Sequence, residues 1–365
     1  LHWMVHSFPT RRSSDLNDRV LVSMPTGCHQ RGQGILLYDG RIKRVEDIRV
    51  GDRLMGPDST PRTVLQLCRG KSNMVAVIPK KGSPWIVNDE HILTLEMTRQ
   101  KSAAKSNRRA GGGIRIDVNI KEWLTWSKWC KHIFTLVRTG VQFEPHNLPL
   151  PVSPYFLGIL LGDGTIAHGK SVCVTTADPE IVVAVQDAAR DHGLMIREEK
   201  AGGKSKSYYL TSHPGGRSDK NALINALRSL KLRHQCKHIP LSYKTASFSN
   251  RLDLLAGLMD TDGHATCGGY DYITRDKPLA DDVAFVARSL GLAAYVKQCR
   301  KTCTNNGRTG TYYRVTISGD CQIIPCHIAR KRVPVRKQKK DVLRTSFAIE
   351  PAGFDSYFGF TLDGD

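Results

Sequence analysis

Two short stretches place a carboxylate at the same point of the same pattern. FLGILLGDG (156–164) and LAGLMDTDG (255–263) both read as an apolar helix with Leu and Gly on one face, closed by Asp-Gly. Glycine has no side chain to hold two backbones apart, so a pair of such helices packs closely. Packed symmetrically, they bring Asp163 and Asp262 together at one end. That end is C-terminal, where the helix dipole is negative, and two carboxylates there repel each other unless a cation lies between them. One or two carboxylates, completed by water and substrate phosphate, is a ligand set that Mg2+ accepts. A metal held in this way activates water and stabilises the leaving oxygen of a phosphodiester. A single Asp-Gly is an ordinary helix-ending turn; its repetition in a basic chain favours the metal reading.

The 365 residues suit two or three domains, and the formal charge is +20 with a pI near 9.6. A field of that sign attracts polyanions, nucleic acid foremost. No apolar run is long enough to span a bilayer and no secretory signal is present, so an intracellular, cytoplasmic protein is expected. The ten cysteines are scattered without a C-x-x-C pair, and reduced thiols are the default. Cys299 with Cys303, or Cys321 with Cys326, lack zinc partners at finger-like spacing.

The elements that must position these residues fall into three segments. From Cys28 to about Leu95, short apolar runs alternate with Asp-Gly and Val-Gly-Asp turns, predicting an all-β unit. TRQKSAAKSNRRAGGG (98–113) reads either as a mobile basic loop touching phosphate or as a solvated linker. A helix is expected over KEWLTWSKWCKHIF (121–134), then a proline-rich hinge, HNLPLPVSP. Beyond it the same order of elements occurs twice, each copy opening with an apolar helix that ends in Asp-Gly, which implies an internal duplication with pseudo-two-fold symmetry. The basic RKRVPVRKQKK (330–340) leads into SFAIEPAGFDSYFGFTLDGD, which is β-like again. Upstream, VLVSMPTG reads like the first half of a phosphate-binding loop whose Gly-Lys-Ser/Thr never follows; Cys28 stands in its place. A working P-loop NTPase is thereby disfavoured.

The paired Asp-Gly helices resemble the motifs of LAGLIDADG homing endonucleases, and LAGLMDTDG is nearly letter-perfect. The resemblance implies that the two helices form the interface between half-domains, that Asp163 and Asp262 bind Mg2+, and that β-sheet saddles read the major groove of double-stranded DNA, here the uninterrupted host allele. The first copy has Leu161 where the second has Asp260, a position not required for metal binding. KHIP (237–240) resembles the segment that supplies an active-site lysine, which makes Lys237 the candidate; a surface phosphate contact is its alternative. Lys297, in YVKQCR, is the expected symmetric counterpart.

The β-like flanks resemble the Hint splicing domain of inteins, interrupted by the endonuclease. Cys28 matches its first residue. WIVNDEHILTL (85–95) resembles the block whose Thr-x-x-His pair activates the upstream peptide bond, with Asn88 in place of the threonine and His91 kept. FDSYFGFTLDGD resembles the penultimate block. The resemblance implies that the Cys28 thiol attacks the Gly27 carbonyl in an N-to-S acyl shift, that His91 gives a proton to the departing amine, and that Asn88 polarises the carbonyl or holds the bond distorted.

The expected organisation is multidomain. An all-β, discontinuous Hint domain covers 28–148 and 327–365, and an α+β LAGLIDADG domain with duplicated halves covers 149–326. Residues 17–27 are read as the end of a host extein, a P-loop NTPase or helicase. Residues 1–16 resemble a translated sequencing adaptor and are set aside. A monomer is expected, needing no cofactor for splicing. The terminal His-Asn of the family is not in the chain, so the reaction is expected to stop at the thioester. A freestanding LAGLIDADG endonuclease, or a DNA binder with a decayed nuclease, stays open beside this reading.

Overall fold

The computed structural model describes residues 27–98, 113–144, 149–212, 221–233, 236–302, 307, 309–336, 338 and 341–363. The adaptor-like start, the expected extein before Gly27, all but the two ends of the basic loop 98–113 and part of the proline-rich hinge lie outside them. The chain divides into two compact units, the described residues of Leu1–Phe143 with Lys340–Asp365, and those of Glu144–Lys339.

The first unit is mostly β, with two short helices. Its strands are β1 (Gly27–Gln30), β2 (Gly34–Leu36), β3 (Ile42–Arg44), β4 (Arg53–Met55), β5 (Pro61–Pro79), β6 (Trp85–Asn88), β7 (Ile92–Met97), β8 (Arg115–Asn119) and β9 (Phe134–Val137), joined after the second unit by β18 (Arg344–Thr345) and β19 (Phe347–Leu362). One sheet runs β19-β1-β6-β5-β4 and a second β18-β9-β7-β8. β5 and β19 pair along their length, from Phe347 opposite Pro79 to Leu362 opposite Val64. The pairing shifts register at Pro351/Gly353, where Pro351 lacks an N–H and Gly353 has a φ of +87°. Apolar side chains of these strands build a core around Val77, Trp85, Val87, Leu93 and Leu136. KEWLTWSKWCKHIF forms two helices rather than one, α1 (Ile120–Thr125) and α2 (Lys128–Ile133). Ser127 breaks the run: its backbone is extended and its hydroxyl accepts from the Cys130 N–H, 3.2 Å away, to start the second helix.

The second unit repeats itself. α3 (Pro154–Gly162), β10 (Gly164–Thr165), β11 (Cys173–Thr176), α4 (Pro179–Asp191), β12 (Met195–Gly202) and β13 (Ser205–Thr211) form the first half. After α5 (Ala222–Ser229) and α6 (Leu241–Lys244), the second half follows in the same order as α7 (Phe248–Thr261), β14 (Gly263–Thr266), β15 (Gly269–Thr274), α8 (Lys277–Ser289), β16 (Ala293–Thr302) and β17 (Thr309–Ser318). The sheets run β10-β11-β13-β12 and β14-β15-β17-β16, one topology twice. β12 and β16 escape the pattern reading because their outer parts are exposed and charged, as in MIREEKAG, and show no apolar alternation.

α3 and α7 pack through their glycines. A Cβ on Gly158 would run into the Leu254 oxygen and lie 2.9 Å from the Leu258 nitrogen, and one on Gly257 would run into the Tyr155 oxygen and lie 3.0 Å from the Ile159 nitrogen. Neither position accepts a side chain without separating the helices. This unit also takes in the described residues of 327–339, which composition alone assigns to the flanking β unit. The Tyr270 hydroxyl, on β15, donates to the Lys331 carbonyl at 2.8 Å and fastens that segment here.

Candidate active centres

Asp163 and Asp262 are the C-caps of α3 and α7, their N–H groups closing the last turn on the Ile159 and Leu258 carbonyls. Both face solvent at one edge, while the surrounding protein strips away much of their water. Burial, and then the Asp163 charge, push the Asp262 carboxyl up to about 6; Lys237 and Lys331 oppose the shift. Burial likewise raises Asp163 against the pull of the same two lysines. The Asp262 carboxyl thus feels the Asp163 charge across the helix pair.

Lys237 donates to the Gly162 carbonyl at 2.7 Å, and Lys331 to the Thr261 carbonyl at 3.0 Å and to that of Gly263. Gly162 and Thr261 occupy the same position of the two motifs, so the counterpart of Lys237 is Lys331. Lys297 is not brought to this centre: it lies exposed on β16, opposite Arg314. A second reading of the repeat gives the signal for Lys331, since KHIP and KRVP (331–334) share the Lys-x-aliphatic-Pro pattern. A residue with no such signal is Tyr272 on β15, opposite Gly263. Its hydroxyl is buried without a hydrogen-bond partner among the described residues, and burial together with Asp262, Asp276 and Asp163 raises its pKa. Opposite Gly164 in the first half stands Val174.

No group of three His, Cys, Asp or Glu that could hold a metal occurs among the described residues. The acceptors at the helix ends are two mutually repelling carboxylates, because the neighbouring carbonyls are taken by lysines. Such a set fits a hard dication that completes its shell with water and phosphate oxygens.

The other predicted residues gather in the first unit. Cys28 lies on β1 opposite Gly359, and the next residue, His29, pairs with Phe358 on one side and Val87 on the other. Asn88 ends β6, and the His91 N–H donates to its carbonyl at 3.1 Å, closing the turn. The His29 and His91 rings meet edge-on with centroids 5.1 Å apart, which brings His91 beside the strand of Cys28. Cys28, Asn88 and His91 are all buried. Asn88 Oδ1 and His91 Nδ1 have no hydrogen-bond partner among the described residues. Burial holds His91 down at about 3, so its imidazole is neutral in the physiological range. Cys68, which carries no signal of its own in the sequence, places its Sγ 3.4 Å from Cys28 Sγ. Burial first, then the Cys68 thiol, raise the Cys28 pKa well above the ordinary thiol value.

Residues 28–146 match the model of the Hom_end-associated Hint family, and residues 249–323 match that of the LAGLIDADG-like domain. The chain is similar to the replicative DNA helicase DnaB of Mycobacterium intracellulare, 25% identical over 315 residues covering 82% of this chain and 48% of that protein. It is also similar to the catalytic subunit of the V-type proton ATPase of Candida tropicalis, at 21% identity over 92% of this chain and 42% of that protein. The chain therefore spans less than half the length of either relative. Among solved structures, I-DmoI in complex with DNA and Mn matches 46% of this chain and 89% of its own at 15% identity and a TM-score of 0.32. The gp41-1 intein matches 26% and 60% at 18% identity and a TM-score of 0.19.

Proposed function

We propose that this chain, which carries a Hint domain and a LAGLIDADG-like domain, is an intein that starts its own excision at Gly27–Cys28 and bears a Mg2+-dependent homing endonuclease. The observation that carries the first half is that His91 packs edge-on against His29, the residue after Cys28 on β1, with Asn88 Oδ1 and His91 Nδ1 buried and without a partner among the described residues. The Cys28 sulfur attacks the Gly27 carbonyl carbon; a C–S bond forms, the C–N bond breaks, and the Cys28 nitrogen leaves as an amine. The Cys28 thiol first loses its proton to water, and a ring N–H of the neutral His91 gives a proton to the departing nitrogen and takes one back from solvent. The Asn88 amide polarises or distorts the scissile bond. Burial holds the Cys28 thiol protonated, so attack waits on its ionisation.

For the second half, Asp163 and Asp262 would hold Mg2+, which when bound supplies an activated water and neutralises charge on the phosphodiester. Lys237 and Lys331 set a cation beside each carboxylate, placed to meet phosphate oxygens. Double-stranded DNA is the substrate, drawn by the +20 charge, and the target is the intein-less host allele. The splicing domain comprises the described residues of 28–143 and 340–365, and the nuclease those of 144–339. Similarity to a replicative helicase, together with the interrupted MPTG, supports an NTPase or helicase as host. An intracellular monomer agrees with a duplicated nuclease whose two halves lie in one chain.

Cys28→Ala tests the reading. It abolishes N-terminal cleavage if the chain is an intein, and changes nothing if it is a freestanding nuclease. Asp163→Asn stops Mg2+-dependent cutting while sparing DNA binding; a protein that binds and never cuts is a decayed nuclease.

A further inference from the structure

Asp260 is the acid of the second motif that the metal reading leaves unused, and it is buried at the end of α7. Its Oδ2 accepts from the Tyr155 hydroxyl and from the His327 N–H, each at 2.7 Å, and its Oδ1 accepts from the Ile328 N–H at 3.3 Å. The His327 ring also lies flat on Tyr155, with centroids 3.8 Å apart. One carboxylate thus ties three pieces together: the first turn of α3, the end of α7, and the chain entering the single turn Ala329–Lys331. That turn follows at once, the Lys331 N–H donating to the Ile328 carbonyl at 2.9 Å. Its last residue is the lysine that reaches the Thr261 and Gly263 carbonyls, one and three positions beyond Asp260 itself.

The first motif has no such device. Leu161 stands at the equivalent position, buried and with no polar atom in its side chain. Lys237 is seated by a different acid, Asp282 on α8, which accepts from the Ile239 N–H at 2.8 Å and from Lys244 at 2.6 Å. The two lysines occupy equivalent places but hang from inequivalent anchors.

We infer that Asp260 is the positioning residue that seats Lys331 at the second motif of the nuclease centre, and that Leu161 leaves the first motif dependent on Asp282 for the same task. This rests on the nuclease reading for its purpose, but the seating itself is a property of the chain. A buried carboxylate that accepts two backbone N–H groups fixes that backbone more firmly than a neutral acceptor would, because charge-assisted hydrogen bonds are roughly twice as strong.

The test is competitive lysine acetylation of the full chain by a water-soluble acetylating ester, scored at Lys331 and Lys237 by peptide mass spectrometry. Asp260→Leu, which copies the first motif, is expected to raise the Lys331 rate about tenfold or more, the opening that follows loss of one charge-assisted bond, while Lys237 keeps its rate. Asp260→Asn, which keeps the shape and one acceptor, is expected to give a smaller rise and decides the matter if the leucine variant does not fold. A Lys331 rate unchanged in a folded variant, or a rise shared equally by Lys237, overturns the inference. Should the wild-type chain cut no DNA, the nuclease reading falls, yet the acetylation result still decides whether Asp260 seats the lysine.

Discussion

The thiols of Cys28 and Cys68 lie 3.4 Å apart, on strands that both pair with Gly359 of β19. The neighbour raises the Cys28 pKa in addition to burial. Since thiolate is the nucleophile, thiol-induced cleavage at Gly27–Cys28 is expected to rise about tenfold per pH unit and to keep rising beyond the ordinary thiol value near 8.5. Cys68→Ala lowers the Cys28 pKa and moves the whole profile to lower pH. A rate profile that levels off at the same pH in both proteins contradicts this.

The neutral His91 gives a stability signature of opposite sense. Its folded pKa is depressed to about 3, so between there and 6.5 the unfolded chain binds the proton and the folded one does not. Stability is fully present above the unfolded value and falls as pH drops through this window, by up to about 1.4 kcal/mol per unit. Urea midpoints of the wild type and His91→Asn, followed from pH 7 to pH 4, check it: the wild type loses more than the variant. Parallel losses would contradict a buried neutral ring.

Gly158 and Gly257 permit the α3–α7 contact, with no room for a Cβ on either. Ala at either position is expected to destabilise the second unit by about 1–3 kcal/mol, the usual range for overpacking. Ala at Gly169, where nothing lies within 4 Å but φ is +73°, carries a strain cost without a clash. Differential scanning calorimetry of the three variants ranks them; a melting point unchanged in Gly158→Ala removes the tight helix pair.

Lys331→Met and Lys237→Met are each expected to slow Mg2+-dependent DNA cutting on the order of 100-fold, as loss of a transition-state charge contact does. Lys297→Met leaves the rate near that of the wild type. Single-turnover cutting of the joined host gene measures all three, and a large loss at Lys297 with none at Lys331 would reverse the assignment.

Much of this is legible in the sequence because chemistry and local pattern coincide. LAGLMDTDG carries helix, glycine face and acid within nine residues, and Cys28 marks itself by standing where VLVSMPTG, a run that reads like half a phosphate loop, breaks off. What escapes depends on pairing between distant segments. Cys68 meets Cys28 only through the register of β19, and Asp260 meets His327 only because the chain returns to α7 after a whole half-domain. Composition favours Lys297 over Lys331 because the basic stretch 330–340 reads as a flank, whereas the Tyr270 hydrogen bond ties Lys331 to the duplicated sheet. Ser127 divides a helix through its cap, a local signal that the apolar spacing of the Trp residues outweighs in the pattern.

The most direct test is mass spectrometry of the purified chain incubated with dithiothreitol, beside Cys28→Ala. The account predicts one new fragment beginning at Cys28, formed in the wild type and absent from the variant. A Gly27–Cys28 bond that stays intact in both, in folded protein at alkaline pH, contradicts it.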